Sequence, residues 1–208
     1  VGAALTTLLV YLIGTLAGGR INPVRLTLAG VAIGAVLLGI TTGLSLIDPQ
    51  TFDQLRFWQA GTLDIRTLST LPVTAPAILL GCLLTLLIAR PLNTIGMGED
   101  LAIALGARVV LTQIVAVVAI TLLCGAATAV TGPIAFVGLV APHVLRPLIG
   151  TSYRVLVPAA GVLGACIVVL ADTLGRIVSP PGEVQVGIMT AVLGCPALLW
   201  VVARMRSL

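Results

Sequence analysis

Seven apolar stretches, separated by short segments that hold most of the charged residues, constrain the fold of this 208-residue chain more than any other feature. A bilayer core about 30 Å thick requires roughly 20 apolar residues in each helix that crosses it. The predicted membrane helices are Val1–Ala17, Leu26–Ile47, Leu71–Ala89, Val109–Ala129, Pro133–Leu145, Val155–Ala171 and Val184–Ala203. Only 9% of the residues are charged and the mean hydropathy is +1.20, which excludes a soluble domain. We therefore predict an all-α polytopic membrane protein with one transmembrane domain, 1–208.

The arginines predict the orientation of these helices. The chain has eleven basic residues, all of them arginine. Eight of the eleven lie in alternate connections, namely Gly18–Arg25, Arg90–Arg108, Arg146–Arg154 and the C-terminal segment. The positive-inside rule places those connections, and with them the C-terminus, in the cytoplasm. Because the arginines stand singly between apolar runs and form no patch, the net charge of +4 does not indicate nucleic-acid binding.

The connection 90–108 is predicted to hold a short cytoplasmic helix over Glu99–Leu105. Glu99 and Asp100 would occupy its first turn, where the helix dipole favours acidic groups, and Gly106 is a typical C-terminal stop. A short helix on the inner surface is suited to contact a partner protein. A plain connecting turn remains the alternative on these features alone.

Three other polar features have two interpretations each. Asp172 and Arg176 stand four apart, so they form either a local helix pair or a cationic site for an acidic partner. His143 is either a structural residue at a helix end or a proton relay. The stretch Asp48–Arg66 holds two Phe and one Trp, which serve either as interfacial anchors or as part of a translocation vestibule.

The sequence lacks the motifs of the common catalytic and metal sites. It contains no GxxxxGK[ST] phosphate loop, no HExxH, no GxSxG and no CxxC, and its four cysteines lie in apolar runs. We therefore predict no catalytic residue, no metal site and no cofactor in this chain, and we do not expect it to be an enzyme.

Taken together, several ordered segments resemble the FecCD-type permeases, which belong to ABC importers of iron siderophores, haem and cobalamin. The matching segments are Leu105–Gly106, Gly132–His143 with Arg146, Ala171–Asp172 with Arg176, and Val186–Pro196. Two further segments, Pro23–Ala32 and Gln54–Arg66, look closest to the ferric-enterobactin branch. The resemblance covers essentially the whole chain.

The resemblance implies roles for particular residues. The cytoplasmic coupling segment that seats in the ATPase subunit would comprise Gly98, Glu99, Asp100, Leu101, Ala102, Leu105 and Gly106. Arg176 would pair with a glutamate of the periplasmic binding protein. Asn22, Pro23 and Val24 fall where the family places a cytoplasmic gate, although the small hydroxyl residues of cobalamin importers are not kept there.

The resemblance also implies an architecture and a function. The fold would be the transmembrane domain of a type II ABC importer in the bacterial inner membrane, paired with an identical or related permease. A separate ATPase would bind ATP and Mg, and the cargo would be a ferric siderophore of the catecholate type, with haem or cobalamin as alternatives. Because the family has roughly ten membrane helices, the chain is expected to be its C-terminal two-thirds. A proton-coupled transporter and a structural membrane subunit are the alternatives from other classes.

Overall fold

The computed structural model of the chain describes residues 1–16, 23–63, 71–178, 182 and 184–205. These residues form nine α-helices, and no strand occurs among them. The helices are α1 (Gly2–Leu16), α2 (Pro23–Ser45), α3 (Pro49–Gln59), α4 (Leu71–Ile95), α5 (Glu99–Ala104), α6 (Val109–Thr131), α7 (Val137–Ile149), α8 (Tyr153–Val178) and α9 (Val186–Met205).

Each of the seven predicted apolar stretches corresponds to one helix, so the prediction of an all-helical membrane fold is confirmed. In the described part of the chain, four helices are long and apolar enough to cross a membrane, namely Val24–Ser45, Leu71–Ile95, Val109–Thr131 and Tyr153–Val178. Three shorter apolar helices are Gly2–Gly14, Val137–Ile149 and Val186–Leu199. The two remaining helices, α3 and α5, lie in the connections.

The start of the fifth stretch differs from the prediction. We expected a helix from Pro133, but α7 begins only at Val137. Gly132 and Phe136 both have positive φ, 73° and 67°, and the residues between them are not helical. Because Phe136 is a non-glycine residue in the left-handed region, the surrounding packing must hold it there. A Cβ at Gly194 would lie 2.6 Å from the Phe136 Cβ, which shows how closely α9 approaches this residue.

The chain divides into two compact units, Val1–Phe57 and Trp58–Leu208. In the first unit α1 packs against α2. In the second unit α4 packs along α6 and also contacts α8, while α7 packs against both α8 and α9.

The helix ends of the second unit gather into two groups. One group, here called the α5 end, joins the end of α4, α5, the start of α6, the end of α7 and the start of α8. Arg90, Arg108 and Arg146 all lie at this end. The arginine alternation predicted that these connections share one side, and within this unit the structure brings them together.

The opposite end is built from backbone contacts around glycines and is here called the glycine junction. The Thr62 N–H donates to the Thr131 carbonyl at 2.8 Å, and the Gly187 N–H donates to the Gly61 carbonyl at 3.3 Å. A side chain at Gly187 would overlap the Ala60 carbonyl oxygen. The residues after α3, the end of α6 and the start of α9 therefore meet at distances that only glycine permits.

Candidate functional site

The predicted coupling segment begins with a tight turn at the end of α4. The Met97 and Gly98 N–H groups donate to the Thr94 and Ile95 carbonyls at 3.1 and 3.0 Å. Gly98 then adopts φ 118° and ψ 141°, a conformation that is essentially restricted to glycine. This glycine turns the chain so that α5 can start at Glu99, as the sequence predicted.

The other end of α5 closes with two backbone hydrogen bonds. The Gly106 N–H donates to the Ile103 carbonyl, and the Ala107 N–H donates to the Ala102 carbonyl, each at 2.9 Å. With Gly106 at φ 79°, this pattern is a Schellman motif, in which a left-handed glycine satisfies the last helix carbonyls. The predicted stop at Gly106 is therefore present. The helix ends at Ala104, one residue before the predicted Leu105, because Leu105 is the C-cap.

A single small side chain seats α5 on the rest of the unit. Ala102 is fully buried, and α5 contacts only α4 and α6 to an appreciable extent among the described elements. Because alanine has no side chain beyond Cβ, the helix backbone can lie directly on these two helices. Ala102 therefore anchors the segment and does not belong to its exposed surface.

The remaining side chains of α5 form an exposed surface, partly apolar and partly acidic. Glu99, Asp100, Leu101 and Leu105, four of the residues that the family resemblance assigns to the coupling segment, are all exposed. Leu105 is 64% exposed, a high value for leucine outside a membrane-facing helix. Sequence reasoning missed Ile103 and Met97, which are exposed as well. The signal for Ile103 was available, since a helix of only six residues presents most of its side chains outward.

A groove of about 600 Å³ lies beside α5, between the end of α4 and the start of α6. Leu105 and Gly106 form one wall, Ile88 and Leu111 contribute apolar surface, and Arg108 contributes charge. The exposed surface of α5 and this groove together make a shallow, mixed apolar and cationic surface at the α5 end.

A second groove of about 490 Å³ at the same end contains a side-chain bridge that the sequence did not predict. Asn93 of α4 accepts a hydrogen bond on Oδ1 from the Tyr153 N–H at 2.7 Å. Its Nδ2 approaches the Ser152 Oγ at 3.4 Å. Tyr153 is the first residue of α8, so Asn93 caps that helix from another helix.

Arg176 lies near the glycine junction, at the opposite end of α8 from Tyr153. Its Nε donates to the Asp172 Oδ2 at 3.0 Å, and Nη2 lies 3.5 Å from Oδ1. The local pair that the sequence offered as one interpretation is therefore present. The Arg176 side chain is 48% exposed, so a partner can still approach it. Its role in docking stays a prediction.

The remaining predicted residues are those of the cytoplasmic gate and His143. Asn22 of the predicted gate lies outside the described residues, Pro23 begins α2, and Val24 is exposed. His143 lies in the middle of α7 and not at a helix end, which was one of its two interpretations, and its Nδ1 lies 2.7 Å from the Leu139 carbonyl oxygen, one turn back. Within the described ranges no three His, Cys, Asp or Glu side chains come together as a metal site.

Asp48 begins the aromatic stretch as the cap of α3. Its Oδ2 accepts from the Thr51 hydroxyl at 2.6 Å, and its Oδ1 accepts from the Gln50 N–H at 3.1 Å. These two bonds, the first above all, lower the pKa of the Asp48 carboxyl below its usual range. Phe57 and Trp58 are both exposed, which suits either interpretation of this stretch, and residues 64–66 lie outside the described part.

The model of the FecCD transport family matches residues 1–204. The chain belongs to the FecCD transport family. It is 47% identical over 203 residues to the ferric enterobactin transport system permease protein FepD of Escherichia coli K12, covering 98% of this chain and 60% of that protein. It is 41% identical to the hemin transport system permease protein HmuU of Yersinia pestis, covering 91% of this chain and 57% of that protein.

A third relative, named "Probable siderophore transport system permease protein YfiZ", is from Bacillus subtilis 168; it is 36% identical, and the match covers 98% of this chain and 61% of that protein. The chain thus spans about three fifths of the length of these FecCD relatives. That it corresponds to their C-terminal part stays a prediction.

A solved structure supports the fold. The chain matches a structure described as "An inward-facing conformation of a putative metal-chelate type ABC transporter" with a TM-score of 0.83 and 26% identity, covering 95% of this chain and 63% of that one. The predicted family and the predicted fold class, an all-helical transmembrane domain of a type II ABC importer, are therefore confirmed.

Proposed function

We propose that this chain is part of a transmembrane permease subunit of an ATP-driven importer that moves a ferric siderophore into the cytoplasm. The observation that carries the proposal is the 47% identity, over 98% of the chain, to a ferric enterobactin permease. A catecholate siderophore is accordingly the cargo that we propose. The 41% identity to a hemin permease favours haem as the second candidate.

In this proposal α5 is the surface that receives force from a separate ATPase subunit, which would hold the ATP and Mg. The helix is short, ends in glycine turns on both sides, and rests on α4 and α6 through the fully buried Ala102. Because its apolar and acidic side chains point outward, a partner can grip it without unfolding it. Movement of α5 would then displace the ends of α4 and α6 on which it rests.

The opposite end would meet the periplasmic binding protein. Arg176 is half exposed and is oriented by Asp172. An arginine held in one orientation loses less entropy when it binds a second carboxylate. We propose that Arg176 pairs with an acidic residue of the binding protein.

At the cytoplasmic side, we propose that Asn22, Pro23 and Val24 contribute to a gate.

The orientation follows from the same assignment. With α5 and its arginines inside, the chain would be a multi-pass protein of the bacterial inner membrane with a cytoplasmic C-terminus. The second permease subunit would be a copy of the same protein or a related chain.

The test is stimulation of ATP hydrolysis in the full-length permease reconstituted with its ATPase and binding protein. Ferric enterobactin, another ferric siderophore, haem and cobalamin are compared. We expect stimulation by the ferric catecholate. Stimulation by haem alone would replace the cargo, and no stimulation by any ligand in an assembled complex would refute the importer function.

A paired variant tests the role of α5 separately. Glu99→Arg combined with Leu105→Asp reverses one charge and places a carboxylate on the most exposed leucine of the segment. We expect loss of ATPase association and of uptake. The matched control, Glu99→Asp combined with Leu105→Met, keeps the carboxylate and the apolar side chain and is expected to bind normally. Equal association by both variants would show that α5 is not the contact.

A further inference from the structure

The hydrogen-bonded bridge at Asn93 joins two segments that the sequence separates by 60 residues. Asn93 lies in the last turn of α4, six positions before the first residue of α5. Its carboxamide oxygen accepts the N–H of Tyr153 at 2.7 Å. This N–H belongs to the first turn of α8, where no helix carbonyl can accept it. The bridge therefore fixes the start of α8 to the turn that leads into α5.

The surroundings of the bridge make this connection firm. Asn93 and Tyr153 are both half-buried. A Cβ at Gly96 would lie 3.8 Å from the Tyr153 ring, so the ring lies beside the turn before α5. Ser152, next to the Asn93 amide, also accepts the first helical hydrogen bonds of α8 on its carbonyl oxygen. A displacement of residues 96–98 must consequently move the start of α8.

α8 extends from this bridge to the other end of the unit. Tyr153 and Arg176 lie 23 positions apart in one helix, which corresponds to about 35 Å. The start of α8 is joined to α5 through Asn93, and its last turns carry the pair of Arg176 with Asp172. Both proposed docking surfaces are therefore connected to the same helix.

We propose that Asn93 is a positioning residue that transmits displacement of α5 to α8, so that ATP hydrolysis at one end is coupled to release from the binding protein at the other. The inference rests on the proposed importer function. Asn93 itself contacts neither ATP nor cargo in this mechanism. Its contribution is to keep α8 attached to the segment that the ATPase moves.

The experiment measures uptake and ATP hydrolysis together in the full-length permease complex. Asn93→Ala removes the acceptor, and we expect uptake per ATP hydrolysed to fall about two- to tenfold, as loss of one hydrogen bond implies. Association with the ATPase is expected to be unchanged. Asn93→Asp keeps an acceptor next to the start of α8 and is expected to restore the ratio. A loss of assembled complex alone would leave the ratio unchanged.

Two variants at Tyr153 test the hydrogen bond from the Tyr153 N–H to Asn93 separately from the loss of the tyrosine ring. Tyr153→Pro removes the N–H, and proline is well tolerated at the first position of a helix. Tyr153→Ala removes the same ring but keeps the N–H. We expect Asn93→Ala to lower the ratio in the Tyr153→Ala background and to have no further effect in the Tyr153→Pro background.

Two outcomes would overturn the inference while leaving the importer function intact. One is a wild-type ratio in Asn93→Ala, and the other is an equal loss in both Tyr153 backgrounds. If Tyr153→Pro does not assemble, hydrogen exchange of the Tyr153 N–H tests the bond instead. Asn93→Ala must then speed this exchange and Asn93→Asp must not, and any other result overturns the inference. A wild-type complex without any ATP-dependent uptake would refute the proposed function itself.

Discussion

Replacing Gly187 by alanine tests whether the glycine junction holds the second unit together. The new methyl carbon would overlap the Ala60 carbonyl oxygen and lie 3.0 Å from the Ala60 carbonyl carbon and 3.3 Å from the Pro133 carbonyl oxygen. Ordinary carbon–carbon contacts are about 3.5–4.0 Å, so the Ala60 backbone must retreat by roughly 0.5–1.0 Å. The Gly187 N–H to Gly61 carbonyl bond, already 3.3 Å long, would then be lost.

The expected cost is about 2–4 kcal/mol, since overpacking costs roughly 1–3 and a lost backbone hydrogen bond about 1 kcal/mol. This corresponds to a Tm lower by roughly 5–15 °C for a chain of this size. The assay is thermal unfolding in detergent, with Gly161→Ala as the control. Gly161 is also helical, but a Cβ there meets nothing within 4 Å, so we expect no loss of stability. A Gly187→Ala melting temperature equal to that of Gly161→Ala would refute the reasoning.

Three further predictions concern the connections and helix ends. Ala102→Leu should lower the free energy of local unfolding of α5 by about 1–3 kcal/mol, because position 102 is fully buried. Ala104→Leu, at an exposed position, should not lower it. Amide exchange over residues 98–107 measures the difference. The lowered pKa of Asp48 means that its stabilisation of α3 is complete above the usual aspartate pKa and is lost as the pH falls through the lowered value. Asp48→Asn, which still caps a helix, should abolish this pH dependence in exchange measurements on α3. Arg176→Glu should weaken association with the binding protein. Asp172→Asn removes the partner of Arg176 in an exposed ion pair and should change the free energy of unfolding, measured by chemical denaturation, by less than about 1 kcal/mol.

The seven apolar helices could be predicted from the sequence because each is a continuous apolar run between segments that hold most of the charged residues. The short helix that begins at Glu99 was also predictable, since the acidic residues of its first turn and the glycine after its end are local features of the sequence that favour a helix start and a helix stop. The start of α7 was not predictable in this way. The left-handed conformation of Phe136 depends on how closely another helix packs against it, as the approach of Gly194 shows.

The candidate site also combines features that the local sequence predicts with features that depend on helix packing. Exposed contacts on α5 follow from the length and composition of the segment, and the structure places Leu101 and Leu105 on its exposed surface. The bridge between Asn93 and Tyr153 could not be predicted, because it joins residues 60 positions apart and one of its partners is a backbone N–H. No side-chain pattern identifies such a contact before the helices are packed.

The glycine junction has a consequence for how the sequence around it can change. Its defining contacts join backbone atoms of Gly61, Thr62, Thr131 and Gly187, and none of these bonds requires a particular side chain on its neighbours. Substitutions beside the glycines that leave these backbone contacts in place can therefore accumulate at this end of the unit without displacing the helices that meet there.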